Sequence, residues 1–155
     1  MMTDEQIDKA LRDLRFRHVD ALNRRDPDTF ADNFTEDGVW EVPASFRVVG
    51  RKDIRHQLAN VMTPKFTWVI QTNYDSIVLS ATGDRAKARV YFTEYCMFTT
   101  GDVQFVLGVY HEDCVHDGDR WRYARRIAHL IYKGPMNLSG ELRFFPPPTP
   151  EVAFG

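Results

Sequence analysis

Five side chains in this sequence have types and positions that could act on a bound molecule: His18, Asn23, Glu94, Tyr110 and Arg126. Each is polar where its surroundings are apolar. His18 falls four residues after Leu14, on a stripe that also holds Ile7, Leu11, Val19 and Leu22 at helical spacing. An imidazole titrates near neutral pH, so one held in an apolar stripe is a candidate base; the plainer reading is a core histidine bonded to a backbone carbonyl. Glu94 alternates onto one strand face with Ala86, Ala88, Val90, Phe92 and Cys96, which makes it a carboxylate on an oily surface. A buried carboxylate costs several kcal/mol unless paired, and Arg126 is its expected partner across the sheet. That arginine could hold a substrate oxygen or steady an enolate, or the two could be a structural salt bridge. Asn23 and Tyr110 could donate to a developing oxyanion or a phenol, or could simply pack and cap a helix end.

The elements that position these residues are legible in outline. Thr3 and Gln6 form a capping-box pattern ahead of the first apolar stripe. The segment Asn23-Arg24-Arg25-Asp26-Pro27 ends that helix, and Asp26 with Pro27 starts a short second one carrying Phe30 and Phe34. Glu36-Asp37-Gly38 reads as a turn, 39–42 as a short strand, and 50–62 as a third helix. Four long β-forming stretches follow, at 66–79, 86–98, 103–116 and 120–132, broken by Gly83-Asp84, Gly101-Asp102 and Asp117-Gly118-Asp119. Helices first and a long meander after predict an α+β cone that encloses a pocket. Alternation puts Val69, Gln71 and Asn73 on the pocket side of the first long strand. It puts Val106, Gly108, Tyr110 and Glu112 there on the third, and Arg122, Ala124, Arg126, Ala128 and Leu130 on the last. Trp40 and Val42 point in from the short strand. The expected substrate-binding walls are Phe30, Trp40, Val42, Val69, Gln71 and Phe92, suited to an aryl or polycyclic ligand. Residues 1–133 read as one domain, and 134–155, with the run Phe144-Phe145-Pro146-Pro147-Pro148, as a tail that could lie over the pocket as a lid.

Composition narrows the function classes. The chain has 155 residues, 43% hydrophobic and 27% charged, enough to bury a core as one domain. Net charge is −2 with the basic residues scattered, which argues against nucleic acid as a partner. No apolar run approaches the roughly 20 residues that cross a bilayer, so no membrane partner is expected. Cys96 and Cys114 sit singly in strands behind a polar N-terminus, which suggests reduced thiols and a cytoplasmic protein. The histidines have no metal spacing, there is no phosphate-binding glycine loop and no nucleophile elbow, so neither metal nor cofactor is expected.

Three segments carry a family resemblance: 22–40, 49–54, and Gly108-Val-Tyr-His-Glu-Asp113 followed by Trp121-Arg-Tyr and Arg126. Together they resemble the SnoaL-like branch of the NTF2-like superfamily, over about residues 5 to 132. The resemblance implies a curved mixed sheet wrapped around helices, a deep apolar pocket and a homodimer or higher homo-oligomer. Members include dehydratases, a dehydrochlorinase, polyketide cyclases, a steroid isomerase and aldol lyases, besides proteins that do no chemistry. In the dehydratase-like members a helix Tyr, an Asp and a strand His form the working constellation, with the His as base. The corresponding positions here are His18, Asn23 and Val69. Neither an asparagine nor a valine can replace the Asp–His dyad, so that mechanism does not transfer.

Two readings follow. One is a cofactor-independent lyase or isomerase that abstracts a proton with His18 or Glu94 and stabilises the anion with Arg126, Asn23 or Tyr110. Elimination, retro-aldol cleavage and cyclisation all use such a set. The other is a small-molecule-binding protein without turnover, which the missing dyad favours. An epoxide hydrolase of this fold would need an Asp-Arg-Asp trio that the sequence does not place.

Overall fold

A computed structural model describes residues 2–136. Helix α1 spans Asp4–Arg24 and begins with the capping box, Thr3 accepting from the Gln6 amide while Gln6 reaches back to the Thr3 amide. It ends at Arg25 in the left-handed conformation. Helix α2, Pro27–Asp32, is capped by Asp26, whose carboxylate accepts from the Thr29 amide at 3.0 Å. Strands β1 (Phe34–Val42) and β2 (Phe46–Val49) make a hairpin, and helix α3 covers Arg51–His56. Strands β3 (Phe66–Thr82), β4 (Arg85–Phe98), β5 (Val103–Asp117) and β6 (Arg120–Pro135) are the meander.

The six strands form one curved mixed sheet in the order β2-β1-β6-β5-β4-β3. Only the β1–β6 contact is parallel. The helices cover one face. Ile7, Leu11, Leu14, Ala21 and Leu22 of α1 bury their stripe against Phe30, Phe34, Trp40, Ile54 and Tyr123. Each large side chain so buried contributes about 1.5–3 kcal/mol. The helix-first, meander-after order therefore does fold as an α+β cone.

Four local expectations need correction. Glu36-Asp37-Gly38 is not a turn between elements but lies inside β1, where the pairing with β6 slips between Phe34 and Val39. The glycine is required there, because a Cβ on Gly38 would stand 2.8 Å from the Phe34 Cβ and 3.1 Å from the Tyr123 carbonyl oxygen. The third helix is α-helical only to His56, then widens into a π turn over Gln57–Met62 and a 3-10 turn over Thr63–Lys65. The inward phase of β6 changes partway: Trp121 and Tyr123 are buried, not Arg122 and Ala124, and Arg126 and Ala128 are buried beyond them. The cause is a slip in the β5–β6 register between Asp113 and Cys114, which leaves Ala124 unpaired. Finally, β6 runs to Pro135, past the strand end expected at Tyr132. The rest of the tail, from residue 137, lies outside the described residues.

Candidate active site

The small residues on the helix-covered face of the meander leave room. A cavity of about 380 Å³ opens between that face, α1, α2 and the π turn. Its apolar wall includes Phe30, Trp40, Val42, Phe92, Val106 and Ala128, and its polar lining includes Gln71, Glu94 and Tyr110. Gln71 and Tyr110 are buried, Glu94 is partly buried, and Lys65 and Lys133 on the same wall are exposed. Polarity thus runs from an enclosed interior to a charged mouth.

The interior polar groups form a connected set. Gln71 on β3 stands directly opposite Glu94 on β4, and its Nε2 donates to Glu94 Oε2 at 2.9 Å and to Tyr110 Oη at 3.1 Å. The phenol in turn donates to Gln71 Oε1 at a longer 3.3 Å, a bond that a ligand oxygen would have to replace. Tyr110 stacks on Phe92, ring centroids 4.3 Å apart, so its direction into the cavity is fixed. Burial pushes the Glu94 carboxyl above its ordinary value, opposed by the Gln71 hydrogen bond and the Lys133 charge. Burial likewise raises the Tyr110 phenol to about 12, against the field of Arg126.

The sequence pointed to Arg126 as the partner of Glu94, and the structure gives it another. Arg126 donates from Nε to Glu112 Oε1 at 3.0 Å, and Arg15 donates from Nε to Glu112 Oε2 at 2.9 Å. All three are buried, one carboxylate between two guanidiniums. The Arg126 guanidinium lies 3.5 Å from the centre of the Tyr110 ring and 4.8 Å from that of Tyr123. Burial alone would depress its pKa, but Tyr123, Glu112 and Tyr110 outweigh that and hold it charged. Arg126 does not line the cavity; it acts on it from beneath Tyr110.

His18 also stands off the cavity wall. Its ring packs 4.1 Å from Phe30 and edge-on to Tyr123 and Phe34, and Phe30 is what meets the cavity. Burial, then the nearby Arg126 charge, pushes its pKa well below the usual value, so it is neutral at pH 7. Asn23 is occupied elsewhere. Its Nδ2 donates to the Gln71 carbonyl at 2.9 Å and its Oδ1 accepts from the Gln71 amide at 2.7 Å. The side chain acts as one more strand residue, joining the end of α1 to β3. Val69 lines a small crevice beside the main cavity, with Leu22, Met62 and Phe66. Phe30, Trp40, Val42, Gln71 and Phe92 do line the cavity.

Sequence reasoning missed Arg15, Tyr123 and the two lysines. Arg15 had a signal, four residues after Leu11 on the buried stripe. Tyr123 was hidden by the slip in β6. Lysines ending a helix and a strand carried no signal. Among the described residues no group of three or more His, Cys, Asp or Glu could hold a metal ion, and no helix is long and apolar enough to cross a membrane.

The comparison with known families fits this architecture. A model of the SnoaL-like domain matches residues 6–127. The chain belongs to the SnoaL-like family. No curated protein matches it. Among solved structures it is similar to a type 2 hexachlorocyclohexane dehydrochlorinase (LinA), 15% identical with TM-score 0.79, the match covering 91% of this chain and 94% of that one. A type 3 dehydrochlorinase from Novosphingobium barchaimii LL02 is 17% identical with TM-score 0.77, over 91% and 95%. A scytalone dehydratase-like protein from Novosphingobium aromaticivorans DSM 12444 is 19% identical with TM-score 0.78, over 88% and 93%. At these identities the likeness carries the fold. As a member of the SnoaL-like family, the chain places its own polar set, Glu94, Gln71 and Tyr110, in the hollow that this fold encloses.

Proposed function

We propose that this SnoaL-like protein is a cofactor-independent lyase or isomerase that abstracts a proton from a small, largely apolar, aromatic substrate. The observation that carries the reading is Glu94, a carboxylate on an apolar cavity wall, raised in basicity by burial and held by Gln71. Glu94 takes the proton of an acidic C–H bond. The electron pair of that bond moves into an enolate, or forms a new double bond as a leaving group on the adjacent carbon departs with its own bonding pair, and Tyr110 donates to the oxygen where charge collects. Gln71 holds base and phenol at fixed separation, and Arg126 supports the phenol from below. The neutral His18, one ring behind the wall, serves the aromatic core in this reading rather than the proton transfer. That the similar structures include dehydrochlorinases and a dehydratase-like protein supports a lyase-type role.

The test is conversion of aryl and polycyclic candidates, followed by mass spectrometry. For a converted substrate, Glu94→Gln lowers kcat by about a hundredfold or more, the usual contribution of a positioned base, and leaves binding in place. A variant that turns over at the wild-type rate overturns the assignment.

A second reading, a binding protein without turnover, is favoured by the fates of Asn23 and Val69. One has both polar atoms committed to the Gln71 backbone and the other is apolar and off the main cavity. Ligands would then raise thermal stability and be recovered unaltered. In either case a second copy of the chain is the partner proposed for the exposed Ile70, Tyr74 and Ile77 of β3 and Ile131 of β6. Sedimentation velocity tests this, with a monomer at all concentrations as the contrary result.

A further inference from the structure

The charged residues on the cavity wall are not arranged symmetrically. Glu94 is partly buried, whereas Lys65 and Lys133 are exposed to solvent. Lys65 immediately precedes β3, and its carbonyl accepts from the Thr99 amide at 3.0 Å, at the far end of β4. Lys133 stands near the end of β6, opposite Val106, which is itself opposite Glu94, so its backbone shares Glu94's row of the sheet while its exposed side chain reaches outward. The pairings Phe66 with Phe98, Met97 with Val103 and Gln104 with Pro135 put these ends at one edge of the meander. The lysines therefore flank the same opening from opposite sides, separated by the width of β4 and β5. Among the described residues the lysine ion pairs are Lys9 with Asp13 and Lys87 with Asp113, both away from the cavity.

We infer that this opening selects organic acids: an aromatic body carrying a single carboxylate or sulfonate, held by Lys65 and Lys133 while the apolar end enters toward Glu94. The inference rests on the reading of the cavity as a ligand site and adds its substrate class. Two lysines against one carboxylate leave the cavity wall with an excess positive charge, and the excess is at the entrance. An anion driven inward would meet Glu94 across a low-dielectric space, where like charges repel strongly. The same anion at the mouth keeps its hydration and gains two cations. A neutral ligand of the same shape has no such preference for one end. The lysines thus set orientation, presenting the uncharged carbon skeleton to the base. Affinity itself comes from the apolar walls, because exposed ion pairs are individually weak.

The probes are 8-anilinonaphthalene-1-sulfonate and N-phenyl-1-naphthylamine, which share one ring system and differ by the sulfonate. Both brighten in apolar surroundings, so direct titration of the intact chain gives two dissociation constants without any turnover. At low ionic strength the sulfonate binds roughly fivefold tighter than the neutral probe, the scale of two exposed ion pairs. At about 0.5 M salt, where screening is nearly complete, the advantage falls toward unity. The double variant Lys65→Gln, Lys133→Gln removes the advantage and leaves the neutral probe unchanged, which also reports that the cavity is intact. Equal binding of the two probes to the wild type, or a sulfonate preference that survives in the double variant, overturns the inference and spares the cavity reading. Failure of both probes to bind overturns both.

Discussion

Two acidic residues sit on inward positions of adjacent strands, six residues apart in register, and meet opposite fates. Glu94 faces the cavity with a neutral amide as its partner, and its pKa is raised. In the folded chain the protonated form is the one favoured by burial. Its stabilisation is complete below the ordinary carboxylate value and is lost as pH rises through the raised one. Activity runs the other way, because only the deprotonated carboxylate is a base. Turnover is therefore expected to rise with pH across the window in which the Glu94-dependent part of stability falls. Glu94→Gln should abolish the first trend and flatten the second, read by kcat and by thermal melts on the same pH series. Glu112, by contrast, lies between Arg15 and Arg126 with no access to the cavity. Glu112→Gln leaves two buried guanidiniums uncompensated and should cost about 3–5 kcal/mol in urea unfolding. Arg15→Met leaves one cation on one anion and should cost clearly less. Equal losses would mean that the pairing with Arg15 matters as much as the central carboxylate, against the charge count.

At the scale of elements, the end of α1 is attached to β3 by Asn23 and by the C-cap Arg25, which donates to the Thr67 carbonyl. Asn23 both donates to and accepts from the Gln71 backbone, and Gln71 carries the hydrogen bonds to Glu94 and Tyr110. Asn23→Ala should cost about 1–3 kcal/mol, the range for leaving buried backbone partners unsatisfied. It should also lower kcat through a displaced Gln71, with the larger effect on stability; Asn23→Asp keeps the acceptor but sets a carboxylate against the Gln71 carbonyl, and should not rescue. A variant with full stability and no activity would return Asn23 to the role of oxyanion donor. This clamp also shows where sequence reading stops. Periodicity located α1 with its capping box, because the apolar stripe and Thr3–Gln6 spacing are local. Alternation located the inward face of β4, where no slip interrupts the pairing with β5 from Arg85 to Met97. It failed on β6. With an unbroken hairpin across Gly118-Asp119, Arg125 would stand opposite Glu112; the slip at Ala124 brings Arg126 there instead. A one-residue slip exchanges faces, and nothing in the composition near Ala124 announces it. The slip sets Arg126 opposite Glu112 rather than His111; Glu94, level with Val106 and Lys133, is out of its reach in either register. The β1 bulge at Gly38 escaped for the same reason: Glu-Asp-Gly has the chemistry of a turn, and only the approach of the Phe34 and Tyr123 atoms makes the glycine a sheet residue.

The molecule as a whole keeps a hollow that packing alone would close. Cores elsewhere fill to crystal-like density, and each unfilled methyl group forfeits dispersion and transfer energy. Here the sheet contributes small residues to the space, Gly108 and Ala128 beside the ring of Phe92. The glycine is needed because a Cβ at 108 would stand 2.6 Å from that ring and 2.9 Å from the His129 carbonyl oxygen. Ala128 is different: it is buried in the cluster with Val90, Phe92, Val106 and Tyr110, and it also lines the cavity. Ala128→Leu places three carbons into that volume. The fold should tolerate it, with stability unchanged or raised by about 1 kcal/mol, as expected for filling a void. Binding should suffer, because the same volume is where an apolar ligand would lie between Phe92 and Trp40. The paired measurement is thermal stability of the free variant against its affinity for the neutral naphthylamine probe. A gain in stability with a loss of affinity marks the hollow as kept for a ligand at a cost to the fold. A loss of more than about 2 kcal/mol, the cost of overpacking a filled core, would show that side chains already occupy the space, and no substrate could enter it.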